Sequence, residues 1–282
     1  MSATLVGVEQ LAEHLNDDLW RVIDCRHDLK NLDYGTQAYA RGHIPGAVHL
    51  HLDRDLSGAK TGSNGRHPLP EAAAFAATMS RVGVGPATQV VAYDNEGGIF
   101  AARLWWLLRW LGHERVAVLD GGLAAWKRAK LPLEERAPTV AAAQFNARPG
   151  DQPVTVEAVL ATRASGELLL LDARNAERYR GDNETLDPVA GHIPGAVNRF
   201  YADNLDDDGC FFKEPAQLAT DFAAILAGRD PHSVVQTCGS GVTACHNLLA
   251  MEIAGLAGSR LYPGSWSEWC ADSARPVARG EA

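Results

Sequence analysis

Residues 234–244 read Val-Val-Gln-Thr-Cys-Gly-Ser-Gly-Val-Thr-Ala, and an apolar, helix-forming run follows them. The valines predict a short strand, and the two glycines after Cys238 predict a tight loop before the helix. In open α/β sheets, ligands bind outside the carboxyl ends of the strands, which is where Cys238 would lie. Inward-facing loop amides and the positive end of the next helix would stabilise a thiolate, or a sulfur atom carried on it. A buried structural cysteine is the alternative interpretation.

A duplicated motif extends the analysis to the whole chain. His-Ile-Pro-Gly-Ala-Val occurs at residues 43–48 and again, letter for letter, at residues 192–197. An apolar run ending in Asp-x-Arg precedes each copy, at residues 22–26 and 169–174. Paired features keep a nearly constant separation, so the chain contains one domain twice and is not a short-period solenoid. Because the motif also occurs in the copy without the cysteine, we interpret it as maintaining the fold.

The order of helices and strands predicts the fold class. Each copy alternates β-rich runs with amphipathic helical runs, which is typical of a parallel sheet covered by helices. We predict an α/β fold of two tandem domains, residues 1–130 and 154–282, joined by a linker at residues 131–153. Each domain, a small parallel sheet flanked by helices, is long enough to bury its own core. The predicted strands are residues 20–24, 47–49, 90–93, 116–119, 168–172 and 233–237. The predicted helices are residues 8–15, 71–82, 100–111, 123–128, 156–162, 215–227 and 244–253.

Composition and charge argue against several classes of function. The 282-residue chain has a formal net charge of −9, so it offers no basic surface for nucleic acid or an anionic membrane. It shows neither a signal peptide nor an apolar stretch that could span a bilayer, and we expect a cytoplasmic protein. Its five scattered cysteines include no Cys-x-x-Cys pair, which argues against a disulfide framework or a structural zinc site. We expect no metal and no cofactor, and a monomer.

Together these motifs resemble a known family. Two copies of Asp-x-Arg followed by Gly-His-Ile-Pro-Gly-Ala, with a cysteine loop in the second copy, are similar to the tandem-domain rhodaneses, which are sulfurtransferases. The resemblance covers nearly the whole chain. The loop at residues 238–243 resembles that of the 3-mercaptopyruvate branch, whereas the thiosulfate branch usually has an Arg-Lys pair after its cysteine. This chain has Gly239 and Ser240 there.

The resemblance implies a reaction. The family cysteine, here Cys238, takes sulfur from a donor as a persulfide and passes the outer sulfur to an acceptor. The expected donor is 3-mercaptopyruvate, and the expected acceptor is a thiol, cyanide or a thioredoxin-like protein. Two alternatives stay open: a thiosulfate sulfurtransferase, and a non-catalytic module that carries sulfur or senses persulfides.

The resemblance also implies catalytic partners for Cys238. A serine two residues after the cysteine matches Ser240, and a histidine and an aspartate match His67 and Asp53. A relay of these three side chains would protonate the enolate leaving group or activate the donor. Asp55 is close enough in sequence to compete with Asp53 for this role.

A donor anion requires a cation. Arg178 matches a substrate-binding arginine of the family and would hold a carboxylate bidentately, with Arg180 as the nearby alternative. The mercaptopyruvate branch usually has a second arginine about nine residues later, but residues 184–188 read Glu-Thr-Leu-Asp-Pro. The substrate-binding loop itself includes Gly239, Gly241, Val242 and Thr243.

Two further comparisons of residues limit the chemistry. Asp94 occupies the first-copy position of Cys238, so we expect that copy to be catalytically silent. Phosphatases of related fold hold phosphate with an arginine six residues after their cysteine, and this chain has Ala244 there.

Arg26 and Arg174 occupy equivalent positions in both copies, so we interpret them as structural ion-pair formers.

Overall fold

The computed structural model describes residues 4–281, except for the side chains of residues 163–165. The chain divides into two compact units. The first unit comprises the chain up to Gly58, Leu69–Asp151 and Asp207–Phe212. The second unit comprises Ala59–Pro68, Gln152–Asp206 and the chain from Lys213 onward. The sequence-based limits of 1–130 and 154–282 stay predictions.

The first unit contains a five-stranded parallel sheet with the strand order β1-β5-β4-β2-β3. Its strands are β1 (Leu5–Val6), β2 (Trp20–Asp24), β3 (Val48–His49), β4 (Gln89–Tyr93) and β5 (Val116–Leu119). Its helices are α1 (Val8–Glu13), α2 (Tyr34–Ala40), α3 (Leu52–Asp55), α4 (Ala72–Arg81), α5 (Ile99–Trp110) and α6 (Gly122–Arg128). The central strand β4 pairs with β2 and β5, which buries Val90 to Tyr93.

The second unit repeats the plan with a four-stranded parallel sheet in the order β7-β6-β8-β9. Its strands are β6 (Leu169–Asp172), β7 (Val197–Asn198), β8 (Val234–Thr237) and β9 (Arg260–Leu261). Its helices are α7 (Val156–Ser165), α8 (Ala176–Arg180), α9 (Pro215–Leu226), α10 (Thr243–Ile253) and α11 (Ser265–Trp269). All four residues of β8 are buried, as expected of an inner strand of a parallel sheet.

Both copies of the Asp-x-Arg motif form buried ion pairs, as predicted from their equivalent positions. Arg26 Nη2 lies 2.5 Å from Asp24, and Arg174 Nη2 lies 2.6 Å from Asp172. Each arginine also donates to a glycine carbonyl, at 2.9 Å in both units. The ion pair and this hydrogen bond together compensate part of the cost of removing each guanidinium from water.

The duplicated histidines support the structural interpretation of their motif. His43 Nδ1 lies 2.8 Å from the carbonyl oxygen of Tyr39, and His192 Nδ1 lies 2.8 Å from that of Tyr179. Each imidazole also stacks on the same tyrosine, with ring centroids 3.8 Å apart. The two histidines therefore hold the end of an equivalent helix in each unit.

All predicted strands are confirmed to within one residue, and all predicted helices to within three. Sequence analysis missed β1, β7, β9, α2, α3, α8 and α11. These elements are short, and a two-residue strand exists only because a neighbouring strand pairs with it. Within residues 4–281, no helix is long and apolar enough to cross a membrane.

Candidate active site

Cys238 lies at the carboxyl end of β8, where the sequence placed it. Its side chain is buried, with 2% of the residue exposed. The Cys238 amide donates to Ser265 Oγ at 3.1 Å, and its carbonyl accepts from the Trp266 amide at 2.9 Å. The start of α11 therefore fixes the backbone of the cysteine.

The loop after Cys238 forms a cradle of backbone amides. The Gly241 amide donates to Cys238 Sγ at 3.1 Å. Gly241 has φ +73°, and a Cβ at this position would lie 2.3 Å from the Pro263 carbonyl oxygen, so only glycine fits. Of the described residues, none accepts a hydrogen bond from the amides of Val242 and Thr243. These amides stand at the positive end of α10, where they favour an anion.

The predicted pair of Ser240 and His67 is present. Ser240 Oγ lies 2.7 Å from His67 Nδ1, and both residues are at least 96% buried. The tautomer of His67 decides which of the two atoms donates. The pair can therefore move a proton to or from a group beside the cysteine loop. Residues 59–68, which carry His67, belong to the second unit, and the Arg66 amide ties them to Ser267 Oγ at 2.9 Å.

Asp53 lies in α3 of the first unit. Its Oδ2 is 3.7 Å from His27 Nε2, and its amide donates to His51 Nδ1 at 3.1 Å. Asp55, the alternative in the sequence, accepts from the His51 amide at 2.9 Å and pairs with Arg81 at 3.1 Å. These contacts give Asp55 a structural function at the start of α3, and the assignment of Asp53 to the relay stays a prediction.

His27, His51 and Asp53 form a compact group whose ligand atoms lie within 4.8 Å of one another. Such a group could suit a metal ion. However, His51 Nδ1 accepts from the Asp53 amide, and His51 Nε2 lies 2.9 Å from the Leu32 carbonyl oxygen. Both imidazole nitrogens of His51 are thus engaged, and the group does not offer three ligands.

Arg178 lies beside the cysteine loop. A Cβ at Gly239 would be 3.2 Å from Arg178 Nη2 and 3.4 Å from Nη1. Arg178 Nε donates to both carboxylate oxygens of Glu184, at 3.1 and 3.0 Å. Arg180 instead donates to Asp182 at 2.8 Å and lies 3.8 Å from Glu281. The geometry favours Arg178 over Arg180 as the donor-binding residue.

Arg66 is a cation at this site that sequence analysis did not identify. A Cβ at Gly239 would lie 3.0 Å from Arg66 Nη2, and the Arg66 amide donates to Ser267 Oγ at 2.9 Å. Its Nη1 forms an ion pair with Asp187. The only sequence signal was its position directly before His67. Arg66 therefore places a second guanidinium beside Gly239, from a segment that is distant in the sequence.

Two carboxylates hold these arginines. Glu184 pairs with Arg178, and Asp187 accepts from both Arg178 and Arg66. Burial alone would raise the pKa of Glu184, but hydrogen bonds from Arg178 and the Leu186 amide lower it below its usual range. Burial raises the pKa of Asp187 even though Arg66 and Arg178 oppose the rise.

The remaining four cysteines are buried and free of disulfides. Burial raises the pKa of the Cys25 thiol well above its usual range, and the nearby Asp94 adds to the rise. Burial likewise raises the pKa of Cys270. Because the thiolate is the reactive form, neither is suited to act as a nucleophile.

Comparisons with known proteins identify the family of this chain. Residues 7–129 and 155–272 each match the model of the rhodanese-like domain family. The chain is 47% identical over 284 residues to a probable 3-mercaptopyruvate sulfurtransferase of Pseudomonas aeruginosa, with 99% of each chain covered. It is 39% identical to SseB, a putative thiosulfate sulfurtransferase of Mycobacterium tuberculosis, over 100% of this chain and 96% of the relative. The crystal structure of SseA from Escherichia coli, a 3-mercaptopyruvate sulfotransferase, matches with a TM-score of 0.81 and 34% identity, covering 94% of this chain and 99% of that chain.

Proposed function

The chain belongs to the rhodanese-like family and is a sulfurtransferase, and from this premise we propose that it transfers sulfur from 3-mercaptopyruvate through a persulfide on Cys238. One observation carries the proposal: the Gly241 amide donates to Cys238 Sγ at the positive end of α10. A thiolate and a persulfide anion both gain from this hydrogen bond. The acceptor is a small thiol, cyanide or a thioredoxin-like protein.

The first half-reaction forms the persulfide. The Cys238 thiolate attacks the donor sulfur, an S–S bond forms, and the donor C–S bond breaks. The electron pair of that bond passes to the leaving group, which becomes the enolate of pyruvate. The Ser240 hydroxyl, paired with His67, delivers a proton to the enolate carbon. In the second half-reaction, the acceptor thiolate attacks the outer sulfur, and Cys238 returns as a thiolate.

Arg178 binds the donor carboxylate in this scheme. Mercaptopyruvate places its carboxylate several atoms from the attacked sulfur, and Arg178 stands beside Gly239, the residue that follows the cysteine. Asp53 is the third member of the relay that the family resemblance assigns. The substitution Asp53→Asn should lower kcat for mercaptopyruvate, because the relay would lose its charge.

The decisive experiment locates the sulfur. After treatment with mercaptopyruvate, mass spectrometry of the wild type should show one added sulfur, on the peptide that contains Cys238. The variant Cys238→Ser should lose transfer while its circular dichroism and melting temperature stay nearly unchanged. Cys245→Ser is the matched control, because Cys245 is fully buried two helical turns further on. An added sulfur on Cys245 or Cys25 would contradict the proposal.

Thiosulfate is the second candidate donor, and Arg66 specifically favours it. Sulfite, its leaving group, requires positive charge close to the cysteine, and Arg66 adds a second guanidinium beside Gly239. We nevertheless expect kcat/KM for mercaptopyruvate to exceed that for thiosulfate by about tenfold. Steady-state rates measured side by side test this order. Slow turnover with both donors, together with a stable protein complex, would instead indicate a sulfur-carrier or persulfide-sensing module.

A further inference from the structure

Two guanidinium groups flank the residue that follows Cys238. Arg66 Nη2 and Arg178 Nη2 lie 3.0 and 3.2 Å from the position of a Cβ at Gly239. Their side chains are 23% and 18% exposed, so a molecule arriving from solvent can reach them. The absence of a side chain at Gly239 leaves both groups next to the cysteine loop.

Asp187 joins the two arginines. Its Oδ1 pairs with Arg66 Nη1, and its Oδ2 accepts from Arg178 Nη2 at 3.0 Å. The Asp187 side chain is only 3% exposed, so it is held between the arginines and not in solvent. Within the part of the chain that the structure describes, Arg66 Nη2 and Arg178 Nη1 donate to no acceptor. Each arginine therefore keeps N–H groups for another anion.

The charges around this site balance. The cations are Arg66, Arg174 and Arg178, and the anions are Asp172, Glu184 and Asp187. A donor with one negative charge can use the N–H groups of the arginines without much repulsion. A donor with two negative charges is repelled more strongly by the Cys238 thiolate. This repulsion is large because the site is partly buried and solvent ions screen its charges poorly.

We propose that Arg66 and Asp187 form a donor-selectivity element: Arg66 is a second guanidinium that binds the anionic group of the donor, and Asp187 offsets enough positive charge that the site prefers a monoanion to a dianion. Mercaptopyruvate, with one carboxylate, is the monoanion, and thiosulfate is the dianion. The inference rests on the proposed function for the identity of the donors. It makes a pair of residues from distant segments responsible for the choice between them.

The main test is Asp187→Asn, which keeps an acceptor for the arginines but removes the charge. We expect kcat/KM for thiosulfate to rise about tenfold relative to that for mercaptopyruvate, mainly through KM. Asp182→Asn, which removes an exposed carboxylate from the same segment, is the control and should leave the ratio unchanged. An unchanged ratio in Asp187→Asn, or an equal loss with both donors, would overturn the proposal.

The complementary variant is Arg66→Gln. We expect KM to rise for both donors, and more for thiosulfate, by about tenfold or more. Arg229→Gln, an exposed arginine that donates to the Gly166 carbonyl, is the control. The double variant Arg66→Gln/Asp187→Asn restores the charge balance, so its donor ratio should return towards that of the wild type. If the double variant instead combines the losses of both changes, the pair has only a structural role.

A measurement without turnover separates this inference from the proposed function. Iodoacetate is an anion and iodoacetamide is neutral, so the ratio of their alkylation rates at Cys238 reports the local charge. The iodoacetate rate should rise relative to the iodoacetamide rate by about threefold or more in Asp187→Asn, and fall in Arg66→Gln. If these ratios shift while no donor loads sulfur on Cys238, Arg66 and Asp187 do set the local charge, but the proposed function is wrong. Ratios that stay constant in both variants would refute the donor-selectivity element, whatever the rates with the two donors show.

Discussion

Two loops occupy the same place in the two units, one after β4 and one after β8, and they differ in how their amides are used. In the first, the Asp94 carboxylate accepts four backbone hydrogen bonds, from Glu96, Gly98, Phe100 and Ala101, at 2.8 to 2.9 Å. In the second, Cys238 Sγ accepts from the Gly241 amide at 3.1 Å. The amides of the first loop are therefore occupied by the carboxylate of Asp94.

This difference explains why duplication need not produce two active sites. A carboxylate fills the amide cradle with charge and cannot attack sulfur, so we expect the first loop to be chemically silent. A sulfur atom leaves amides at the positive end of α10 available for a second sulfur or an incoming anion. We therefore propose that the first unit uses this loop for stability and that the second unit uses it for sulfur transfer.

The residues that follow the Asp-x-Arg pairs differ as well. In the second unit, the Asn175 side chain accepts from the Arg178 amide at 3.1 Å and so caps the helix that carries Arg178. In the first unit the equivalent residue is His27, a buried imidazole without a hydrogen bond to any residue in the described range. The second unit therefore uses this position to cap the helix of Arg178, the proposed donor-binding residue, whereas His27 makes no such cap in the first unit.

The largest expected effect comes from giving the second loop the residue of the first. Cys238→Asp should reduce transfer by at least about 10⁴-fold, because the nucleophile is lost. Its stability should exceed that of Cys238→Ser by about 1 kcal/mol or more, since the carboxylate can accept the cradle amides as Asp94 does. Urea unfolding compares the two variants. A Cys238→Asp protein less stable than Cys238→Ser would show that the two cradles are not equivalent.

Ser240→Ala tests what the second unit adds beyond the cradle. We expect kcat for mercaptopyruvate to fall about 100-fold, because the enolate loses its proton source. Thiosulfate should lose less than about threefold, since sulfite requires no proton on carbon. Steady-state rates with both donors give the result, and Ser233→Ala, on the surface before β8, is the control. Equal losses with both donors would argue against a relay to carbon.

Asp94→Cys makes the reverse exchange. We expect no second labile sulfur, because the first loop carries Glu96, whose charge opposes an anionic donor. The variant should also lose about 2 kcal/mol of unfolding free energy, because four backbone amides lose a charged acceptor. Cyanolysis after donor treatment counts the sulfur atoms per chain. Two labile sulfurs would show that the amide cradle alone is sufficient for chemistry.

The smallest effect concerns His27. Burial, with a contribution from His51, lowers the pKa of His27 from 6.5 to about 4. The folded protein keeps His27 neutral while the unfolded chain takes up a proton, so this contribution to stability is present above pH 6.5 and is lost as the pH falls towards 4. The change is about 1 kcal/mol per pH unit.

The variant His27→Asn introduces the residue that the second unit has at the equivalent position, Asn175. It isolates the pH-dependent contribution of His27 to stability. The difference in unfolding free energy between wild type and variant should shrink as the pH falls from 6.5 to 4.5, measured by urea unfolding. His232→Gln, at an exposed site, is the control and should not change the pH profile. A constant difference between wild type and His27→Asn would mean that His27 does not titrate in this range.

The duplication, the parallel α/β fold and the position of Cys238 after a buried strand could all be predicted from the amino-acid sequence. These features follow from local patterns, since apolar periodicity and glycine placement act over a few neighbouring residues. The loop at residues 238–243 and the pairing of Ser240 with His67 were predicted, the latter from a family resemblance and not from spacing.

The charges that surround the cysteine loop could not be predicted from the sequence, because they depend on how distant segments pack together. Arg66 lies 121 positions from Asp187 in the sequence, and nothing near either residue indicates that they form an ion pair. The same holds for the choice of Arg178 over Arg180, which depends on which side of a short helix faces the loop. Electrostatic contacts act through space between segments that packing brings together, and local sequence patterns carry no record of that packing.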